Sequence, residues 1–341
     1  MFDTVLKILV FLSTLVCLPD RGLFVFEQIW FHISVIILAL TAFASEKQRD
    51  FKPWLLIGFN AVFILNVFTH SFNPLVMQYA LNVFLLSLTV FLVASYTQNF
   101  RSVIKWIFAS YIVTSVVLVF QLYGFNLLQT SLGENSGGLM GNLPRLSFLA
   151  CLVLPLAFKS KAKFLLIPLI MLSCGYIQPQ YCIFAVFLIC FWFRCGSYGI
   201  KSVIAFCIAS ILIYVYLTKP VSINLRIDYY FLILRDFFSI YWISGFGAGI
   251  PFAKDIGSRD MQTYSSILQF VFTTGIPGAI WLCFTCVKFF KSFRASALNL
   301  SILAFGIISI WEYPFEVRRL WFVLAVLIGF LIIENKENQR S

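Results

Sequence analysis

Apolar residues fill most of this chain in long runs, which short polar connections separate. The runs are about 15 to 23 residues long, and a helix needs about 20 apolar residues to cross a hydrocarbon core of roughly 30 Å. The pattern therefore predicts an all-α, polytopic integral membrane protein with about 12 transmembrane helices. The predicted spans are residues 4–19, 28–45, 54–70, 74–96, 103–123, 144–158, 164–178, 180–194, 202–218, 264–287, 297–313 and 319–333.

Composition supports a membrane protein. The 341 residues are 61% hydrophobic and only 11% charged, with a mean hydropathy of +0.93, which excludes a soluble domain. The net charge of +11 does not predict a nucleic-acid partner, because no basic cluster lies on a soluble module. We expect residues 1–341 to form a single membrane domain whose first apolar run is a retained span rather than a signal peptide.

Basic residues occur in alternate connections between the predicted spans. Because Lys and Arg are enriched in cytoplasmic loops, this alternation predicts that both termini are cytoplasmic. It also predicts two long loops on the outer side, at about residues 124–143 and 219–263. The basic connections hold Lys47, Arg49 and Lys52; Arg101 and Lys105; Lys159, Lys161 and Lys163; Arg194 and Lys201; and Lys288, Lys291 and Arg294.

Residues 219–263, the long loop, depart from the charge rule. The loop lies before the tenth predicted span, on the side where Lys and Arg are normally scarce, so its basic residues suggest an anionic ligand. It also carries Gly245-Phe246-Gly247-Ala248-Gly249, which suits either a tight turn or close backbone approach to a phosphate. The loop's charged residues are Lys219, Arg226, Arg235, Lys254, Arg259, Asp228, Asp236, Asp255 and Asp260.

No cofactor or metal is expected from the sequence. P-loop, HExxH, GxSxG and DxD patterns are absent. The nine cysteines lie in predicted spans or on the cytoplasmic side, which argues against a disulfide framework. Cys283 and Cys286 form a CxxC pair in an apolar span, where core cysteines are favoured over a metal site.

The order of motifs in the second half of the chain resembles a known family. An aromatic-rich segment from Arg226 to Arg235 precedes the glycine run. Further along, nine residues separate Tyr264-Ser265 from Gly275-Ile276-Pro277-Gly278. This order resembles the O-antigen polymerase and O-antigen ligase superfamily, with its Arg-led segment, GxGxG turn and His-[Asn/Ser/Gln]-x9-GxxG element. The segment 141–147 resembles the Gly/Asn/Pro start of the family's mid-chain span, and the resemblance covers residues 133–278.

Two departures bear on the choice within this superfamily. Tyr264 stands where the ligase pattern has His, which favours a polymerase. The family's usual Arg before the mid-chain glycines is absent, and Arg145 follows them instead.

The resemblance implies metal-independent glycosyl transfer at the outer face of the inner membrane. The growing glycan would leave its polyprenyl diphosphate carrier and join the next lipid-linked repeat unit. The implied partners are the lipid-linked oligosaccharide donor and acceptor, membrane lipid, a chain-length regulator and a flippase. The implied catalytic residues are Arg226, Arg235, Asp228 and Tyr264, and the implied substrate-binding residues are Arg145, Gly245, Gly247, Gly249, Arg318 and Arg319.

Each assignment has a structural alternative. On an ideal helix Arg226 and Arg235 lie on opposite faces, so one would face the site while the other meets headgroups. Asp228 and Asp236 suit ion pairs with neighbouring arginines as well as a general base. Tyr264 also suits an interfacial belt. The same choice between structure and chemistry applies to Arg318 and Arg319, which lie beside Glu312 and Glu316, and to the two histidines, His32 and His70.

Other functions remain open at this stage. A ligase would move the glycan to a lipid A core. A lipid-linked oligosaccharide flippase should carry charges inside its helices and lack so long an outer loop. A secondary transporter should show matching interrupted helices in two halves, and no such repeat is seen in the sequence.

Overall fold

The fold is all-α throughout the part of the chain that the structure describes. This computed structural model describes residues 1–15, 23–125, 143–158, 197–218, 241–248, 265–311 and 318–340, with single positions 160, 161, 163, 188, 192, 193, 231, 234, 235 and 238. The helices are α1 (Phe2–Leu15), α2 (Leu23–Phe43), α3 (Trp54–Thr69), α4 (Pro74–Tyr96), α5 (Phe100–Leu122), α6 (Leu143–Ala157), α7 (Tyr198–Thr218), α8 (Ser266–Lys291), α9 (Ala297–Trp311) and α10 (Arg318–Arg340).

Three of these helices are long and apolar enough to cross a membrane, namely α4, α5 over Phe100–Gln121, and α8. The ten helices coincide with ten of the predicted spans. The predicted spans 164–178 and 180–194 lie almost wholly outside the described residues. The all-α class is therefore confirmed for the described ranges, while the number of spans stays a prediction.

Short polar residues determine where several helices begin. The side chains of Asn73, Asn99 and Ser265 accept hydrogen bonds from backbone N–H groups in the first turns of α4, α5 and α8. These bonds satisfy donors that have no partner inside the helix, which is why such residues are preferred as N-caps. In α4 the first helical residue is Pro74, whose missing N–H costs nothing at this position.

Helix α10 lies at the centre of the bundle and packs against α1, α2, α4, α6 and α9. Its residues 320–327 are all buried, because the stretch from 320 to 333 is apolar on every face. The buried Trp321 makes edge-to-face contacts with Phe31 of α2 and Tyr79 of α4. Further along, Gly329 permits the close approach of α4, since a Cβ there would lie 2.6 Å from the Cγ1 of Val93.

One end of the bundle is held by charged groups and is called the charged end below. Arg49 and Glu337 form an ion pair at 3.0 Å, and Lys47 and Asp50 form one at 2.8 Å. Lys336 donates to the backbone carbonyl of Asp50. The loop after α2 and the last turns of α10 therefore meet at this end.

The start of α1 lies at the charged end as well. The Asp3 carboxylate accepts hydrogen bonds from the backbone N–H groups of Gln98 (3.1 Å) and Asn99 (2.8 Å), immediately before α5. The backbone N–H groups of Gln48 and Arg49 donate to the Ser95 carbonyl. The beginning of α1 and the end of α10 thus lie on one side of the bundle. The topology, including the compartment on that side, stays a prediction.

Helix α3 packs against α8 through aromatic side chains. Trp281 of α8 stacks on Phe59 of α3, with ring centroids 4.5 Å apart, and its indole N–H donates to the Leu55 carbonyl at 3.1 Å. Phe63 and Phe270 extend the contact toward the far end of α3. This packing brings the far end of α3 beside an interruption in α8.

Candidate functional site: the glycine turn and the break in α8

Helix α8 is broken within the predicted tenth span. Gly275 has φ 67° and ψ −154°, a conformation that is essentially restricted to glycine. Pro277 follows two residues later and has no N–H to donate to the Thr273 carbonyl. The break therefore leaves backbone groups that need partners from outside the helix.

A segment of the long loop supplies those partners. Residues 241–248, the glycine turn, lie in the break of α8. The N–H of Phe246 donates to the Phe272 carbonyl at 2.8 Å, and the N–H of Gly247 donates to the Thr273 carbonyl at 3.1 Å. The N–H of Ile276 donates to the carbonyl of Trp242 at 3.0 Å. Irregular backbone is tolerated at membrane depth only where it is buried in protein or lines a cavity.

Glycine is required on both sides of this contact. Gly245 has φ 72°, and a Cβ there would collide with the backbone carbonyl of Thr273. A Cβ on Gly275 would lie 2.6 Å from the backbone nitrogen of Gly245. The two backbones therefore touch directly, and no side chain fits between them.

Asn66 of α3 joins the glycine turn to α8. Its Nδ2 donates to the carbonyls of Ser244 and Thr273, both at 2.9 Å, and its Oδ1 accepts from the N–H of Ala248, also at 2.9 Å. The side chain is buried, with 2% of its surface exposed. Both amide hydrogens and the amide oxygen are thus used in an environment where an unpaired polar group is costly.

His70 lies one turn after Asn66 and contacts the same segment. Its Nε2 is 3.1 Å from the Gly245 carbonyl, and its Nδ1 is 2.9 Å from the Asn66 carbonyl. His32 contacts Asn82 of α4, with Nε2 and Oδ1 2.7 Å apart. Each histidine therefore links backbone segments or helices, which fits the structural alternative better than a free base.

The predicted site residues are only partly within the described ranges. Arg226, Asp228, Gly249 and Tyr264 lie outside the described residues. Arg145 lies in the first turn of α6, and Arg318 and Arg319 begin α10. Arg235 is exposed, whereas Gly245 and Gly247 are buried. The structure thus brings Gly245 and Gly247 to the break in α8, and the grouping of the arginines stays a prediction.

The contacts of the glycine turn explain what Gly245 and Gly247 do in the fold. The N–H of Gly245 donates to the Tyr241 carbonyl, so the N–H groups of residues 245–248 all donate within the protein. A phosphate near this turn would have to be bound by other groups. The tight-turn interpretation therefore accounts for these two residues, and any contact with substrate remains untested.

Sequence reasoning missed Asn66. A signal was present, because an Asn inside an apolar span is expensive unless it is hydrogen-bonded. Asn82, which is 2% exposed, gives the same signal in α4. What could not be read from the sequence is the identity of the Asn66 partners, which lie 178 and more residues away.

Comparison with known proteins adds no family assignment, because no family model, curated protein or solved structure matches the chain.

Proposed function

We propose that this protein is a membrane glycosyltransferase that polymerises lipid-linked oligosaccharide repeat units, of the O-antigen or capsule type. It transfers the growing glycan from its polyprenyl diphosphate carrier to the next lipid-linked repeat unit. The proposed location is the inner membrane, with both termini in the cytoplasm and the long loop in the periplasm.

One observation carries this proposal. The glycine run and the Gly275–Gly278 element are two of the ordered motifs on which the resemblance rests, and they are in direct backbone contact in the fold. Parts of one functional motif are expected to meet in the fold, and these two elements do. Their contact supports interpreting them as parts of one motif, and the glycine run lies within the loop that carries Arg226 and Arg235.

The proposed reaction breaks the bond between the anomeric carbon and the diphosphate oxygen, and the bonding electron pair leaves with the diphosphate. An acceptor hydroxyl oxygen forms the new glycosidic bond, and its proton passes to Asp228 or to the departing diphosphate. Arg226 and Arg235 are the candidates to stabilise the charge on the diphosphate, and the one that faces the site does so through bidentate hydrogen bonds. A phenol is a poor base at neutral pH, since its reference pKa is about 10, so Tyr264 orients the acceptor hydroxyl.

The central test is chain elongation by the purified protein with polyprenyl-diphosphate-linked repeat units. We expect Arg226→Ala to lower turnover by about 100-fold or more, and Arg226→Lys to be impaired because a point charge replaces a planar fork. Arg101→Ala is the matched control, because Arg101 is exposed at the start of α5 over the ring of Phe100. Normal long polymer from Arg226→Ala would remove this residue from the mechanism.

Deletion of the gene separates the competing functions. Loss of a polymerase leaves surface lipid that is capped by a single repeat unit. Loss of a ligase leaves no capped lipid, and loss of a flippase also traps intermediates on the cytoplasmic side. Either of the last two phenotypes would replace the proposed function.

The proposed orientation is tested by labelling single introduced cysteines. Thiols at positions 133 and 258 should react with an impermeant reagent from outside, and a thiol at position 161 should react only after permeabilisation. External labelling at 161 would reverse the orientation.

A further inference from the structure

The side chain of Asn66 does not stabilise its own helix, α3. Asn66 lies near the end of the helix, yet its side chain makes no bond within α3 and instead bonds two distant segments, the glycine turn and α8. Asn60 on the same helix is the ordinary case, since its Nδ2 donates to the Leu56 carbonyl four residues earlier.

The three bonds of Asn66 hold both ends of the tight part of the glycine turn. Ser244 lies immediately before Gly245 and Ala248 follows Gly247, so the amide bridges the turn from one side to the other. The bond to Thr273 attaches the bridge to the carbonyl that Pro277 leaves without a helical partner. Removal of the amide would leave three backbone groups without this partner, of which those of Ala248 and Thr273 are buried.

The glycine turn is also a point where the long loop is bonded to the bundle. Arg235 lies nine residues before Ser244, and its side chain is exposed. The position of this arginine relative to the bundle therefore depends on how firmly the turn is held. Misplacement of a reacting or binding group by about 1 Å is enough to lower a rate by about 100-fold.

We propose that Asn66 is a positioning residue, which holds the glycine turn in the break of α8 and thereby sets where Arg235 lies relative to the lipid diphosphate. The inference rests on the proposed function. His70, immediately after the end of α3, assists, since its ring lies between the carbonyls of Asn66 and Gly245.

The first measurement is independent of activity. Hydrogen–deuterium exchange of the peptide that contains residues 241–248 reports whether the turn is held, because the N–H groups of residues 245–248 all donate within the protein. Exchange of this peptide should be at least about tenfold faster in Asn66→Ala than in the wild type. The Asn60→Ala control should leave it unchanged.

The second measurement is elongation per folded molecule, with kcat and KM separated. We expect Asn66→Ala to lower kcat by about 10- to 100-fold, while Asn60→Ala keeps the wild-type rate. If Asn66→Ala does not fold, His70→Ala leaves the Asn66 amide in place. It removes the ring's contacts with the carbonyls of Gly245 and Asn66 and should give a smaller change in the same direction.

The outcomes separate the two proposals. Faster exchange with an unchanged kcat would show a merely structural role and overturn the inference, as would exchange and kcat equal to those of Asn60→Ala. A wild-type protein that elongates no glycan would overturn the proposed function, and the inference with it, whatever the exchange data show.

Discussion

The two ends of α3 are held in different ways. Beside its start, at the charged end, two ion pairs join Lys47 to Asp50 and Arg49 to Glu337. Their side chains are 45–96% exposed, apart from Arg49 at 19%. Beside its far end, Asn66 makes uncharged hydrogen bonds that are closed off from solvent. Exposed ion pairs contribute about 0–1 kcal/mol, whereas an unsatisfied buried polar group costs about 1–3 kcal/mol. We therefore expect substitutions at the uncharged end to destabilise the protein far more than substitutions at the charged end.

The largest effect is expected at the break in α8. Gly275→Ala places a Cβ against backbone in a conformation that favours glycine, so we expect a loss of about 3 kcal/mol or more, seen as a lower melting temperature and little folded protein in detergent. Gly306→Ala is the matched control in α9, where no atom lies within 4 Å of the added Cβ. The control should be neutral or stabilise by up to about 1 kcal/mol. Equal melting temperatures for the two variants would contradict the comparison.

A smaller effect, of opposite sign, is expected in the turn that follows His70. Phe72 has φ 58°, which costs a bulky residue about 1–2 kcal/mol, and 54% of its surface is exposed. Phe72→Gly should therefore raise the free energy of unfolding by about 1 kcal/mol. The measurement is thermal unfolding of Phe72→Gly and of a control variant, Leu75→Gly, which places a glycine in the first turn of α4. The control should be less stable than the wild type. A less stable Phe72→Gly would mean that the ring makes a contribution larger than the strain.

The charged end should respond weakly. Glu337→Gln removes the charge that faces Arg49. We expect the free energy of unfolding to fall by about 0.2–1 kcal/mol. The loss should shrink as salt is raised from about 0.01 to 1 M, because the Debye length falls from about 30 to 3 Å. A loss as large as that of Gly275→Ala, or one that is independent of salt, would reverse the ranking of the two ends.

The smallest effect concerns Lys47 and Asp50. The hydrogen bond between them lowers the pKa of Asp50 below its ordinary value of 3.8 and raises the pKa of Lys47 above 10.5. The ionised Asp50 carboxylate therefore stabilises the fold above pH 3.8, and this stabilisation is lost as the pH falls through its lower folded-state pKa. The ionised Lys47 stabilises the fold below pH 10.5, and this stabilisation is lost as the pH rises through its higher folded-state pKa. The melting temperatures of wild type and Asp50→Asn, compared across the acidic range, should converge at the lowest pH.

Local signals in the sequence were sufficient to place the helices. The apolar run at residues 74–96 predicts α4, which the structure has at Pro74–Tyr96. The same reasoning placed the tenth span at 264–287, where α8 covers Ser266–Lys291. The Gly275–Gly278 element was recognised only as a motif, and neither the break in the helix nor the segment that fills it was predicted.

The sequence predicted which residues are candidates for the site, but not their contacts or roles. The glycine run was recognised, yet both a tight turn and a phosphate contact suited it. Only the bonds from the N–H groups of Phe246 and Gly247 to α8 decide for packing at the described positions. Arg226, Asp228 and Tyr264 lie outside the described residues, and their roles stay predictions.

By itself the sequence determined the all-α class, the positions of the apolar helices and the alternation of basic connections, because each depends on residues within one or two helical turns or on the composition of one loop. Only the tertiary structure decided that Asn66 bonds Ser244 and Thr273 and that Gly245 lies against Gly275. The physical reason is that a buried backbone group needs a partner but does not specify which one. The packing of α3 on α8 determines which partner each of these groups receives.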